Sequence, residues 1–149
     1  MSDERVIQVA IGIVWRVPGE CAAPDQPEVL ISRRVNDGVL GGYWEFPGGK
    51  LDSGESAEAC VVRELREELG IEVRATRALE AISHRYDHGR VELRPFFCAH
   101  VRGEPEALQV AAWRWVEVAA LGDYQFPPAN AGLLEQVRRW ASDKSGPKA

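Results

Sequence analysis

Residues 49–71 read GKLDSGESAEACVVRELREELGI, and the fold is decided here. From Glu55 to Leu69 the run contains no Gly or Pro and many good helix formers, which predicts a helix. Gly70 supplies its stop. Val61, Leu65 and Leu69 recur at four-residue spacing and give the helix one buried stripe. At about 100° per residue, Glu64, Glu67 and Glu68 fall within roughly a 100° arc on another face. Three carboxylates so placed repel one another unless a cation lies between them. A hard divalent metal suits that role, because Mg2+ prefers oxygen ligands and retains waters for chemistry. The plain alternative is a solvated charged face with Arg63 and Arg66 as partners, Arg63 standing four residues before Glu67. The preceding glycines favour the metal. Gly48 and Gly49 let the backbone approach a ligand closely, so a carbonyl there adds one more oxygen donor.

Outward from this helix the chain alternates strand and turn signals. Residues 6–17 (VIQVAIGIVWRV) and 28–33 (EVLISR) read as strands, the first one buried. Pro18 to Pro27 reads as a surface loop. Asn36 to Gly54 is dense in glycine, yet Tyr43, Trp44 and Phe46 are too large for idle linker. Further strands are expected near 77–84, 91–101 and 111–118. A second helix is expected over 131–141, with Leu133, Leu134, Val137 and Trp140 inward. Strands mixed with two separated helices predict an α/β sandwich around a mixed sheet. The expected domain is 1–141, followed by a polar, disordered tail at 142–149.

Bulk composition narrows the function. A chain of 149 residues fits one domain able to bury a core without staples. The net charge of −5, with no long Lys/Arg run, argues against stable binding to a nucleic-acid backbone and leaves room for a small phosphorylated ligand. Three cysteines, Cys21, Cys60 and Cys98, show no CxxC spacing, so neither a disulfide framework nor a zinc site is expected. Reduced thiols, a polar start without a signal-peptide core and no membrane-length apolar run predict a cytoplasmic protein. His84, His88 and His100 show no ligand spacing and read as ordinary surface or strand residues.

Residues 49–71 resemble the Nudix box at every defining position. Gly49 precedes Glu55 by five intervening residues. Seven more lead to Arg63-Glu64-Leu65, then Glu67-Glu68, Gly70 and aliphatic Ile71. The resemblance implies an α/β/α Nudix sandwich, a divalent cofactor (Mg2+, with Mn2+ as the alternative) and hydrolysis of a nucleoside triphosphate to the monophosphate and pyrophosphate. It implies that Glu64, Glu67, Glu68 and the Gly48 carbonyl hold the metal. Glu64 is then the general base, with Arg63 and Glu55 orienting the carboxylates.

Three further stretches, ISRR at 31–34, WEFPGGK at 44–50 and FPPAN at 126–130, resemble the MutT-like branch, whose members hydrolyse 8-oxo-dGTP and so sanitise the nucleotide pool. The likeness implies substrate contacts from Arg34, from the Phe46 backbone and from the Asn130 amide. An amide carries both donor and acceptor and so can match a purine edge. On residue chemistry alone Asn130 reads as a helix cap in preference to a base contact, and Phe46 equally as a core aromatic. Arg33, next to Arg34 in a strand, faces the other way and reads as solvated. The chain departs from the branch at Gln109, where a metal-associated Glu is expected; Glu104 or Glu106 could replace it. Arg85 and Arg90 flank an expected hairpin with no assigned role. The partner is a small nucleotide, and the chain is a monomer or homodimer. CTP or dCTP is the alternative substrate. A non-catalytic 8-oxoguanine-binding module, like the C-terminal domain of adenine DNA glycosylases, is the alternative of another class.

Overall fold

Alternation along the first strand sorts the core into two sides. In the computed structural model, which describes residues 5–16, 27–35, 42–87 and 89–142, strand β1 spans Val6–Arg16. Successive strand residues point to opposite faces. Ala10 and Val14 therefore join one buried cluster and Ile11 and Ile13 the other. Strand β2 (Glu28–Arg33) repeats the division, with Leu30 on the first side and Val29 and Ile31 on the second.

The remaining elements are β3 (Trp44–Glu45), β4 (Gly48–Lys50), helix α1 (Ala57–Leu69), β5 (Glu72–Ala78), β6 (Ile82–Tyr86), β7 (Gly89–Arg102), β8 (Ala112–Glu117) and helix α2 (Ala131–Ser142). Short 3-10 helices at Val118–Asp123 and Pro128–Asn130 lead into α2. The sheet runs β3-β2-β1-β7-β5, with β4 on β1, β6 on β7 and β8 on β2. β1 and β7 run parallel from Val6 opposite Arg90 to Trp15 opposite Ala99, and the other pairs are antiparallel. Helix α1 covers the first side through Val61, Leu65 and Leu69, all fully buried. Helix α2 covers the second through Leu133 and Val137, with Leu134 and Trp140 partly buried against the same cluster. The result is the expected α/β/α sandwich around a mixed sheet.

The helix limits have local causes. Ser56 caps α1 by accepting the Ala59 N–H at 3.1 Å, one residue after the expected start. Gly70 ends it in the left-handed region at φ 69° and donates its N–H to the Arg66 carbonyl at 3.0 Å.

Two expectations are corrected. The single strand expected at 77–84 is two strands, β5 and β6, both on β7: after Leu79 donates to the Pro95 carbonyl the ladder is interrupted, and it resumes with Ile82 opposite Leu93. The glycine-dense segment expected to be loop contains β3 and β4. There Gly48 and Gly49 lie in ladder register with Ile11 and Ala10. The expected loop at 18–27 lies outside the described residues apart from Pro27, as does the tail beyond Ser142. Among the described residues no helix is long and apolar enough to cross a membrane.

The stripe on α1 is the principal tie between the helix and the sheet. Truncating Leu65 to Ala should cost about 2–5 kcal/mol. The check is the urea unfolding midpoint at constant slope; a loss under about 1 kcal/mol would mean that α1 is anchored elsewhere.

Candidate active site

The strand-to-helix corner is built on two positions that admit no side chain. A Cβ on Gly48 would enter the Ala10 carbonyl of the neighbouring strand, and one on Gly49 would enter the Glu64 carboxylate. Glycine at both lets β4 lie on β1 while Glu64 lies on the strand backbone. Arg63 ties this corner together. Its Nε and Nη2 donate to the two oxygens of Glu55 at 2.7 and 2.9 Å, and Nη1 donates to Glu64 at 3.0 Å and Glu67 at 3.1 Å. Nη2 also donates to the Lys50 carbonyl at 3.3 Å. The bidentate bond to Arg63, helped by the Asp52 N–H, lowers the Glu55 carboxyl to about 2. The same partners raise Arg63 further above its already high value. Beneath them the buried Cys60 thiol faces the Gly49 carbonyl at 3.4 Å, and burial pushes it up to about 11. Cys60 and Cys98 are both free; Cys21 lies outside the described residues.

The three helix carboxylates are divided rather than gathered. Glu67, half-exposed, pairs with Arg63. Glu64, mostly covered, lies between Arg63 and Glu68. Glu68 lies deepest: one oxygen accepts nothing among the described residues. Burial raises its carboxyl to about 8, with the negative charges of Glu64 and Glu45 adding to the shift and the Gly48 N–H opposing it. Among the described residues no three His, Cys, Asp or Glu side chains already stand as a cage for an ion. The donor chemistry nonetheless suits a hard divalent cation. An orphaned carboxylate oxygen in a desolvated corner of excess negative charge calls for positive charge that the protein does not itself supply.

This corner opens into a cleft of about 790 Å³. Val9, Ile11, Val91 and Leu93 form an apolar wall, and Pro127–Asn130 also line the cleft. Asn130 is 8% exposed. Its backbone N–H bonds the Pro127 carbonyl, but among the described residues its amide makes no capping bond to α2, so it is left facing the cleft. The Phe46 ring is core, 2% exposed and 5.4 Å from the Phe126 ring, so Phe46 reaches the cleft only beside its ring packing. Arg34 stands at the rim and donates to Glu45 at 3.2 Å. Arg33 is exposed and lies over Trp44 at 5.9 Å.

Gln109 also lines the cleft. Its N–H, with that of Leu108, donates to the Glu68 carbonyl, filling the orphan acceptors at the end of α1. Glu104 and Glu106 are exposed and are not among the residues that line the cleft. Among the charged and polar residues that line the cleft, sequence reasoning missed Glu45, Lys50 and His84. Glu45 sits inside the WEFPGG stretch, where its acidity was the available signal. His84 faces the cleft from β6, whose limits were misplaced, and no spacing signal marked it. Arg85 and Arg90 oppose each other across the β6–β7 hairpin.

Known proteins share this architecture. The NUDIX domain profile matches residues 21–136. The chain is 30% identical to the 8-oxo-dGTP diphosphatase of Escherichia coli over 91% of this chain and 98% of that one. It is 36% identical to the CTP pyrophosphohydrolase of the same organism, over 88% and 90%. The solution structure of the E. coli ORF135 protein superposes with a TM-score of 0.78 at 27% identity, covering 93% of both chains. The protein therefore belongs to the Nudix hydrolase family, whose members generally depend on a divalent metal.

The buried carboxylate makes a stability prediction. The Glu68 carboxyl is raised in the folded state from its usual 4.5 to about 8, so the folded protein binds the proton more tightly than the unfolded chain. Stability of metal-free protein should then be full below about 4.5 and fall as pH rises toward about 8. Glu68→Gln should flatten that fall and raise the metal-free Tm at pH 8 by ~2–8 °C, followed by calorimetry. An unchanged pH profile would show that Glu68 is not the strained group.

Proposed function

We propose that the protein is a Mg2+-dependent pyrophosphohydrolase that converts a nucleoside triphosphate to the monophosphate and pyrophosphate, with 8-oxo-dGTP as its substrate. The observation that carries this reading is one cleft with two ends: an acidic corner lined by Gly48, Glu45 and Glu68, with Glu64 next to Glu68 behind it, and an uncommitted Asn130 amide beside an apolar wall. Phosphates belong at the first and a base at the second.

In this reading Glu64, Glu67, Glu68 and the Gly48 carbonyl hold Mg2+, with Mn2+ able to replace it. When bound, the metal neutralises phosphate oxygens and lowers the pKa of water. Arg63, fixed by Glu55, holds Glu64 in place, and Glu64 accepts the proton of the attacking water. Glu67 must leave Arg63 in part to serve as a ligand. Arg34 meets the phosphates. Asn130 offers donor and acceptor to a purine edge, and the Phe46 backbone faces position 7 of the base. Guanine N7 is an acceptor there, whereas the oxidised base carries a proton, so a backbone carbonyl accepts from one and repels the other. A cytoplasmic single domain over 1–141 acting on free nucleotides, and so avoiding mutation, completes the proposal.

A second reading, CTP or dCTP as substrate, is favoured by the 36% identity to a CTP pyrophosphohydrolase. A non-catalytic 8-oxoguanine-binding module is opposed by the intact acidic corner. Pyrophosphate release with Mg2+ from 8-oxo-dGTP, dGTP, dCTP and CTP separates the readings. The expected result is a kcat/KM for 8-oxo-dGTP on the order of a hundredfold above dGTP. Glu64→Gln should lower kcat by ~10²–10⁴, and Asn130→Ala should mainly narrow the ratio between the two purines. A preference for CTP would sink the substrate assignment alone, and no turnover of any nucleotide would sink the enzyme reading.

A further inference from the structure

We propose that Glu45 is a positioning residue: it holds the Arg34 guanidinium at the cleft rim in the place where Arg34 meets the substrate's phosphates. The inference rests on the nucleotide-hydrolase reading above and adds to it a residue from outside the helix.

Glu45 is one half of the two-residue strand β3, opposite Ser32 of β2, and its side chain lines the cleft. Arg34 follows the end of β2 and is fastened to the same short ribbon by its N–H to the Tyr43 carbonyl at 3.0 Å. The two side chains are thus carried by backbone held in register, and they meet through one bond, Arg34 Nη1 to Glu45 Oε2 at 3.2 Å.

The pair makes poor sense as a stabilising device. Its contact is single, and the Arg34 side chain is 46% exposed against 23% for Glu45, a geometry in which ion pairs contribute little. Burial of Glu45 outweighs the help of Arg34 and pushes its carboxyl up. The charge of Glu45 also burdens Glu68, which is already short of a partner. A neutral side chain would relieve both costs. What the carboxylate does achieve is orientation. Arginine is long and rotamer-rich, and a half-exposed guanidinium with no anchor would spend much of its time in solvent. Anchored at one Nη, it keeps its remaining N–H groups for a phosphate, so less freedom is lost when substrate arrives.

A double-mutant cycle tests this, with pyrophosphate release from the preferred nucleotide measured for wild type, Glu45→Gln, Arg34→Ala and the double variant, each over a Mg2+ titration. If Glu45 acts through Arg34, Glu45→Gln raises KM about three- to tenfold with kcat within about twofold. Compared at saturating Mg2+, the substitution adds nothing once Arg34 is Ala. Glu45→Asp, which keeps the charge, should recover part of the KM, and it serves in the cycle if Glu45→Gln fails a thermal-melt check. Equal losses in both backgrounds at saturating Mg2+ would overturn the inference by showing that Glu45 acts independently of Arg34. A wild type inactive on every nucleotide would remove the hydrolase reading itself, a failure distinct from an additive cycle in an active enzyme.

Discussion

Arg63 donates at once to Glu55, Glu64, Glu67 and the Lys50 carbonyl, and the geometry of the acidic corner follows from that one guanidinium. A planar fork with five donors can bridge a helix and the loop before it in a way that a lysine ammonium cannot. Through Glu55 it fixes the turn that delivers the chain from β4 into α1. Through Glu64 it presses a carboxylate against Gly49, where even a methyl group would not fit. The backbone on one side and the guanidinium on the other leave Glu64 little freedom.

The same corner is electrostatically incomplete. Arg63 satisfies the carboxylates nearest the loop, but it does not reach Glu68, and Glu45 adds a further negative charge from the opposite wall. A protein selected for stability alone would place neutral side chains there. The arrangement makes sense if the balance is restored by a cation that arrives from outside, so the ligand is part of the electrostatic design. The wall beyond it is apolar, and Asn130 beside that wall is a buried polar residue whose amide has no partner among the described residues.

The elements that sequence reading located well are those with one strong periodic face. Helix α1, strands β1 and β2 and helix α2 were visible because Val61, Leu65 and Leu69, the β-branched run of β1, and Leu133 with Val137 bury strongly against the sheet. β5 was misplaced for the opposite reason. It is an edge strand carrying Arg74 and Arg77 outward, and register shifts after Glu72 and after Ala75 break its alternation. β3 and β4 were hidden because glycine normally signals loop, whereas here it signals backbone packed on backbone. Motif spacing picked out Glu68 and Asn130, which line the cleft. Glu45 enters the cleft because β3 pairs with β2, and His84 because its hairpin partner β7 lies on β1; the hairpin is a local feature, but its place on the sheet is not.

The parallel pairing of β1 with β7 has a consequence for how the chain acquires its structure. The most deeply embedded strand is made first, yet its long partner begins at Gly89, opposite the N-terminal end of β1. During synthesis β1 must therefore wait while more than half the chain emerges, with its apolar residues unpaired and its edge open. Closing so long a loop before any reward is collected is slow, and it exposes a β-rich segment to association with other chains. Helix α1 and the β4 turn can meanwhile pack on one side of β1 through Gly48, Gly49 and Leu65. The corner that serves chemistry in the finished protein is thus also placed to shield its first strand until the rest of the sheet arrives.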